Sequence, residues 1–174
     1  MYSPTIEIEL EDSGGTEART MAEKIMVIDD DETLANLLVN LLEMNGYEAK
    51  KTVSGKQAVR RVYEHQPDLI LLDIMMPELN GFDALAKLRS DPLTAETPAV
   101  IMSVLSDDLK LLEGWIHDSD GYISKPFDPK DFLETIQIVL AKAMDERVEE
   151  RAQRIEELLE MIHRLEEKYL QTAV

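Results

Sequence analysis

The chain has 174 residues, room for one domain of ordinary size plus an appendage, and its 44% hydrophobic content is enough for a sizeable core. Cysteine is absent, which excludes disulfides, cysteine-based zinc sites and thiol catalysis, and no apolar run is long enough for a membrane helix, so a cytoplasmic protein with no membrane partner is expected. The formal net charge of −18 repels a phosphate backbone, so no direct nucleic acid partner is expected either.

Residues 1–23 show no apolar period, carry Ser13, Gly14 and Gly15, and read as a disordered extension; Met21, just ahead of the first strand pattern, is a candidate translation start. From there two textures alternate. Residues 24–28 form a short apolar strand, and 32–45 have helical spacing (Leu34, Leu37, Leu38, Leu41, Leu42) with Gly46 placed to end the helix. Residues 47–51 read as a strand, 55–65 as a helix, and 69–73 as a nearly uninterrupted apolar strand. Pro77, Asn80 and Gly81 make a loop before a helix over 82–90. A strand at 99–103, a helix at about 107–117, a short strand at 121–123 and a long helix from about Pro129 complete the pattern. Apolar strands separated by helices imply an α/β, doubly wound parallel sheet covered on both faces, with ligands at the carboxyl ends of the strands.

Those ends carry the informative residues. Strand one ends in Asp29, Asp30 and Asp31, strand three in Asp73, strand four in Ser103, and strand five is followed by Lys125 and Pro126. Taken singly each has a bland explanation: an Asp at a strand end is commonly a helix cap or turn residue, and Asp31 is expected to be one. Taken together they put carboxylates beside a hydroxyl and an ammonium. Clustered carboxylates repel one another, and a hard divalent cation relieves the repulsion; few protein ligands suits magnesium. A carboxylate can also act as a nucleophile and form an acyl phosphate, whose phosphoryl oxygens a metal, a lysine and a hydroxyl can stabilise.

The segments IMVIDDDE, PDLILLDIMMPELNGFD, PAVIMS and GYISKPF, with their spacing, resemble the response-regulator receiver family over residues 24–140. The resemblance implies a flavodoxin-like five-stranded sheet of order 2-1-3-4-5. It implies that Asp29 and Asp30 hold Mg2+ with Asp73 and the backbone carbonyl of Met75, and that Asp73 accepts a phosphoryl group from a histidine kinase or phosphotransfer protein. Ser103 would be the switch hydroxyl, Lys125 the phosphoryl-pairing lysine with a cis bond to Pro126, and Tyr122 the switch aromatic. The implied function is that of a two-component response regulator, a switch that catalyses only its own phosphoryl transfer and slow dephosphorylation. Two departures stand out: Val104 where the family is usually small, expected to narrow access to Asp73, and Asp118 where many relatives have Gly. Met75 and Leu105, both apolar, occupy positions that tune hydrolysis in the family, so slow self-dephosphorylation is expected. Two other readings compete. A phosphatase of the haloacid dehalogenase type would need an acid two residues after Asp73, where Met75 stands, and a pseudo-receiver would act only as a dimerisation scaffold.

The last helix has no Gly or Pro and is expected to continue unbroken to about Gln171. Ala141, Val148, Ile155, Ile162 and Tyr169 recur every seven residues, with a second series of Met144, Arg151, Leu158, Leu165 and Thr172. Beta-branched residues in one series and Leu in the other favour a parallel two-stranded coil, so residues 141–174 are expected to make a homodimer. Arg151 in a core position, and a stripe widened by Leu159 and Met161, leave open a partner helix or packing back on the domain. The surface formed by the helix at 107–117, the following strand and the helix after Pro129 is a second candidate for self-association, with Trp115 a candidate member.

Overall fold

A computed structural model describes residues 22–77, 80–104 and 119–172, with side chains given on the last helix to residue 157 and at 159, 160, 163 and 164. The expectations for residues 1–21, the helix at 107–117, Leu105, Trp115, Asp118, and the side chains of Leu158, Met161, Ile162, Leu165, Tyr169 and Thr172 lie outside what is described.

The elements run β1 (Lys24–Ile28), α1 (Glu32–Met44), β2 (Glu48–Thr52), α2 (Gly55–His65), β3 (Leu69–Asp73), α3 (Gly81–Arg89), β4 (Ala99–Ser103), β5 (Gly121–Ser124), α4 (Pro129–Ala141) and α5 (Met144–Thr172). The sheet has five parallel strands in the order β2-β1-β3-β4-β5, as expected. All residues of β3 and β4 are buried, because helices cover both sheet faces. The edge strand β2 is less covered, burying only Ala49 and Thr52 and keeping Glu48 and Lys50 exposed, which discourages pairing with another sheet.

Alternate residues of each strand feed two cores. On one face Ile25, Val27, Leu69, Leu71, Val100 and Met102 pack with Ala35, Leu38 and Leu42 of α1 and Phe132, Ile136 and Val139 of α4. On the other, Met26, Ile28, Ile70, Leu72, Ala99 and Ile101 pack with Ala58 and Val62 of α2 and Ala84, Leu85 and Leu88 of α3. Each fully buried Leu contributes about 2 kcal/mol relative to exposure. Helix α1 starts where expected, since the Asp31 carboxylate accepts from the backbone N–H groups of Thr33 and Leu34. It is followed by Gly46 at a φ of +90°, a conformation glycine adopts without steric cost.

Several element ends shift by one residue from the sequence reading, and the last helix divides in two. Strand β2 begins at Glu48, because the Tyr47 amide still donates to Leu42 O at the end of α1. The C-terminal helix is not continuous: α4 stops at Ala141, Lys142 takes an extended backbone (φ −81°, ψ 136°), and α5 starts at Met144. Neither Gly nor Pro marks this break. Tertiary attraction accounts for it, because the first turns of α5 carry Arg147 and Arg151 to the buried carboxylate of Asp120.

Candidate functional site

Parallel register builds the site. β1 and β3 are neighbours with Ile28 beside Leu72, so the next residue of each chain, Asp29 and Asp73, emerges at the same level. Oxygens of Asp29, Asp30 and Asp73 all lie within 4.8 Å of one another. β4 and β5 bring in the cation: the Lys125 amide donates to Ser103 O (2.7 Å), and its ammonium reaches Asp29 Oδ2 at 2.7 Å and Asp73 Oδ2 at 3.1 Å. The Lys125–Pro126 bond is cis.

One oxygen each of Asp29 and Asp73 is also oriented by backbone. Asp29 Oδ1 accepts from Asp31 N at 2.9 Å, and Asp73 Oδ1 accepts from Met75 N at 3.0 Å. Behind Asp73 the chain turns tightly into α3. Asn80 caps that helix by accepting from Phe82 N, and the Gly81 amide donates to Ile74 O. A Cβ on Gly81 would lie 2.4 Å from Asp73 O and 2.6 Å from Ile74 Cα, so the site's backbone is shaped around a residue without a side chain.

The electrostatics follow from the geometry. Burial pushes the Asp29 carboxyl above the usual carboxylate range; the hydrogen bond and charge of Lys125 pull the other way, and the charge of Asp73 adds to the rise. Burial also works against the Lys125 ammonium, but the hydrogen bond to Asp29 and the charges of Asp73 and Asp29 outweigh it, so its pKa is raised. One ammonium paired with two of the three clustered carboxylates leaves net negative charge. That hard-oxygen donor set, crowded and short of positive charge, fits a small divalent cation.

Ser103 is fully buried at the end of β4, one residue beyond Met102, which pairs with Asp73. Tyr122, paired with Ile101, packs partly buried against the core beneath α2 and α3. Met75 is 51% exposed beside the carboxylates. Val104 is 61% exposed and lines an apolar cleft of about 470 Å³ with Leu34, Leu37, Leu41, Pro126 and Phe127.

A second polar centre went unforeseen in the sequence. The Asp120 carboxylate, fully buried just before β5, meets Arg89 of α3 and Arg147 and Arg151 of α5. The signal was there in Arg151, a charge in a core position of the heptad pattern, but its acidic partner could not be picked from the chain's many others.

The description "Response regulator receiver domain" matches residues 25–137. The chain is 35% identical over 130 residues to the DNA-binding response regulator MtrA of Mycolicibacterium smegmatis, covering 75% of this chain and 56% of that protein. It is 34% identical over 119 residues to the DNA-binding dual master transcriptional regulator RpaA of Synechocystis sp., covering 68% of this chain and 49% of that one. The solved structure of the chemotaxis protein CheY4 of Vibrio cholerae superposes with a TM-score of 0.66 at 26% identity, covering 68% of this chain and 99% of that one. The chain thus spans about half the length of the curated relatives it matches. These relatives correct one expectation. Their names attach DNA binding to proteins of this similarity, so the exclusion of nucleic acid drawn from a net charge of −18 does not hold. The physical reason is range: a carboxylate opposes a phosphate only within a screening length of about 8 Å, so the summed charge of one segment says nothing about a distant contact surface.

Proposed function

Because this chain belongs to the response regulator receiver domain family, we propose that it works as a phosphorylation-driven switch in two-component signalling, with Asp73 as the phosphoryl acceptor. The observation that carries this reading is the placement of Asp73 within 4.8 Å of two further carboxylates and 3.1 Å from the Lys125 ammonium. In the transfer, an Asp73 oxygen bonds to phosphorus as the bond from phosphorus to the donor's histidine nitrogen breaks; the histidine ring, protonated on its other nitrogen, takes the bonding electron pair and leaves as neutral imidazole.

Asp29, Asp30, Asp73 and the Met75 carbonyl would hold Mg2+, which supplies positive charge to the phosphoryl oxygens. Lys125 stays protonated and pairs with the same oxygens, and Ser103 donates its hydroxyl hydrogen to one of them. Tyr122 follows Ser103 inward, altering the surface read by partners and the setting of the C-terminal helix. The donor would be a histidine kinase or phosphotransfer protein, and the protein would act in the cytoplasm. Met75 offers no polar group to orient a water, which supports slow self-dephosphorylation. A half-life of minutes or longer for the phosphorylated protein is the expected result; one of seconds would refute it. By its relatives' names, output at DNA is the reading favoured for the protein in which this receiver acts.

The test is incubation with a small-molecule phosphoryl donor and Mg2+, followed by intact mass. A gain of one phosphoryl group that is lost in Asp73→Asn, depends on Mg2+ and is released by hydroxylamine is expected. Modification that persists in Asp73→Asn would overturn the assignment.

A further inference from the structure

Helix α5 meets the domain through charge where an apolar seam would be usual. In its first turns Arg147 and Arg151 face inward, with side chains only 9% and 11% exposed, whereas Met144 and Val148 are 43% and 44% exposed. Both arginines reach Asp120 Oδ1, Arg147 Nη1 at 3.4 Å and Arg151 Nε at 3.9 Å. Arg147 also donates through Nη2 to Glu96 O at 3.1 Å. Across the break, the Lys142 ammonium is 2.6 Å from Glu150.

Asp120 is built into the sheet as well as the helix. Its Oδ2 accepts from Ala99 N at 2.9 Å and from Arg89 at 3.1 Å, and its amide donates to Ala99 O at 2.7 Å. It therefore pins the starts of β4 and β5 together. The other ends of those two short strands carry Ser103 and Lys125, so the anchor of α5 and the acidic site are the opposite ends of the same pair of strands.

From this placement we infer that Asp120 with Arg147 and Arg151 is an ionic latch that sets the position of α5, and that movement of β4 and β5 at the site is passed to the helix through it. The latch itself stands apart from the phosphoryl-acceptor reading; the coupling rests on it. A charged anchor suits this role. A buried charge that loses its partner is strongly destabilising, so the helix is held to follow Asp120 when the strands move.

The absence of cysteine makes the test direct. Spin labels at Lys87→Cys on α3 and Gln153→Cys on α5, both exposed, report the distance between domain and helix by pulsed electron resonance, with excess unlabelled protein added so that only distances within one chain are read. Without activation, a single narrow distance peak is expected, lost to a broad distribution in Arg147→Ala/Arg151→Ala. Arg89 keeps Asp120 paired in that variant, and an unchanged melting transition of β-sheet and core confirms that it folds. A distribution already broad in the parent, or narrow in the double variant, overturns the latch. With Mg2+ and beryllofluoride, a shifted peak in the parent and an unshifted one in Asp73→Asn support the coupling. Loading of the fluoride, read separately by fluorine resonance, with no shift overturns the coupling alone. Failure to load overturns the acceptor reading and the coupling with it, while the first comparison still decides the latch.

Discussion

Asp30 offers the sharpest test of the acidic cluster, because it is exposed and, among the described residues, its carboxylate has no hydrogen-bond or ion-pair partner. Asp30→Asn removes one negative charge and nothing that holds the fold. Two like charges at 4.8 Å, the outer limit of the spacing here, repel by about 0.9 kcal/mol at the dielectric of water, and Asp30 faces two of them. Lost attraction to Lys125 offsets part of that, leaving a net stabilisation of about 1 kcal/mol, or ~4 °C in Tm for a domain of this size. The assay is thermal unfolding by circular dichroism, first in EDTA and then with Mg2+. In EDTA the variant is expected to melt above the parent. With Mg2+ the order reverses, because a metal at a hundred times its Kd adds about 2.7 kcal/mol to the parent and the variant has lost a ligand. A variant that melts at or below the parent in EDTA would refute the crowding argument. An equal response to Mg2+ in both proteins would remove Asp30 from the metal site.

Lys125→Met should act in the opposite sense in EDTA, costing about 3 kcal/mol by leaving the nearly buried Asp29 and Asp73 carboxylates without their cation; denaturant unfolding that showed no loss would contradict the ion-pair geometry. Because the folded pKa of Lys125 is raised from 10.5, its own contribution is fully present below 10.5 and lost only above, and the cost of Lys125→Met should shrink toward acid pH as the elevated Asp29 carboxyl takes up a proton. Asp29 gives a pH signature of its own. Its folded pKa is raised above 3.8, so the stability it contributes is present below 3.8 and lost as pH rises through the higher folded value. In EDTA, Asp29→Asn should therefore gain on the parent as pH climbs through that window, and parallel Tm curves would sink the argument. Gly81→Ala should cost ~2 kcal/mol and slow phosphorylation of Asp73, since the added methyl overlaps the Asp73 carbonyl; full activity at unchanged Tm would show that the turn can yield.

The sheet was legible in the sequence because its signals are local and redundant. Each of β1, β3 and β4 is an apolar run long enough for one strand, and Asp31, Asn80 and Gly46 mark helix ends by their own chemistry. The site was legible for a related reason: in a parallel sheet the residue after each strand lands at the same edge, so Asp29, Asp73 and Lys125 could be brought together from strand positions alone. What went unread was tertiary. Nothing near Lys142 breaks a helix by propensity, and the break exists only because Arg147 and Arg151 have a buried acid to reach. The heptad pattern placed Arg151 in a helical seam, yet its side chain points to Asp120. A period of seven records which residues share a face; it does not say whether the face meets a second helix or the body of the domain.

The same electrostatics that locate the site explain why net charge misled on nucleic acid. Three carboxylates within 4.8 Å of one another call for a cation, and burial, with the charge of Asp73 adding to it, holds the Asp29 carboxyl above its ordinary range. Carboxylates more than a Debye length of about 8 Å from a contact patch are largely screened there and act mainly on solubility. Summing them into −18 weights both kinds equally. The informative quantity is local charge density, high and negative at the ends of β1 and β3 and locally positive where Arg89, Arg147 and Arg151 surround a single acid. The first arrangement suits a metal and a phosphoryl group. The second suits the holding of a helix, and because Asp120 ties both to the same two strands, a charge change at one end has a short, stiff path to the other.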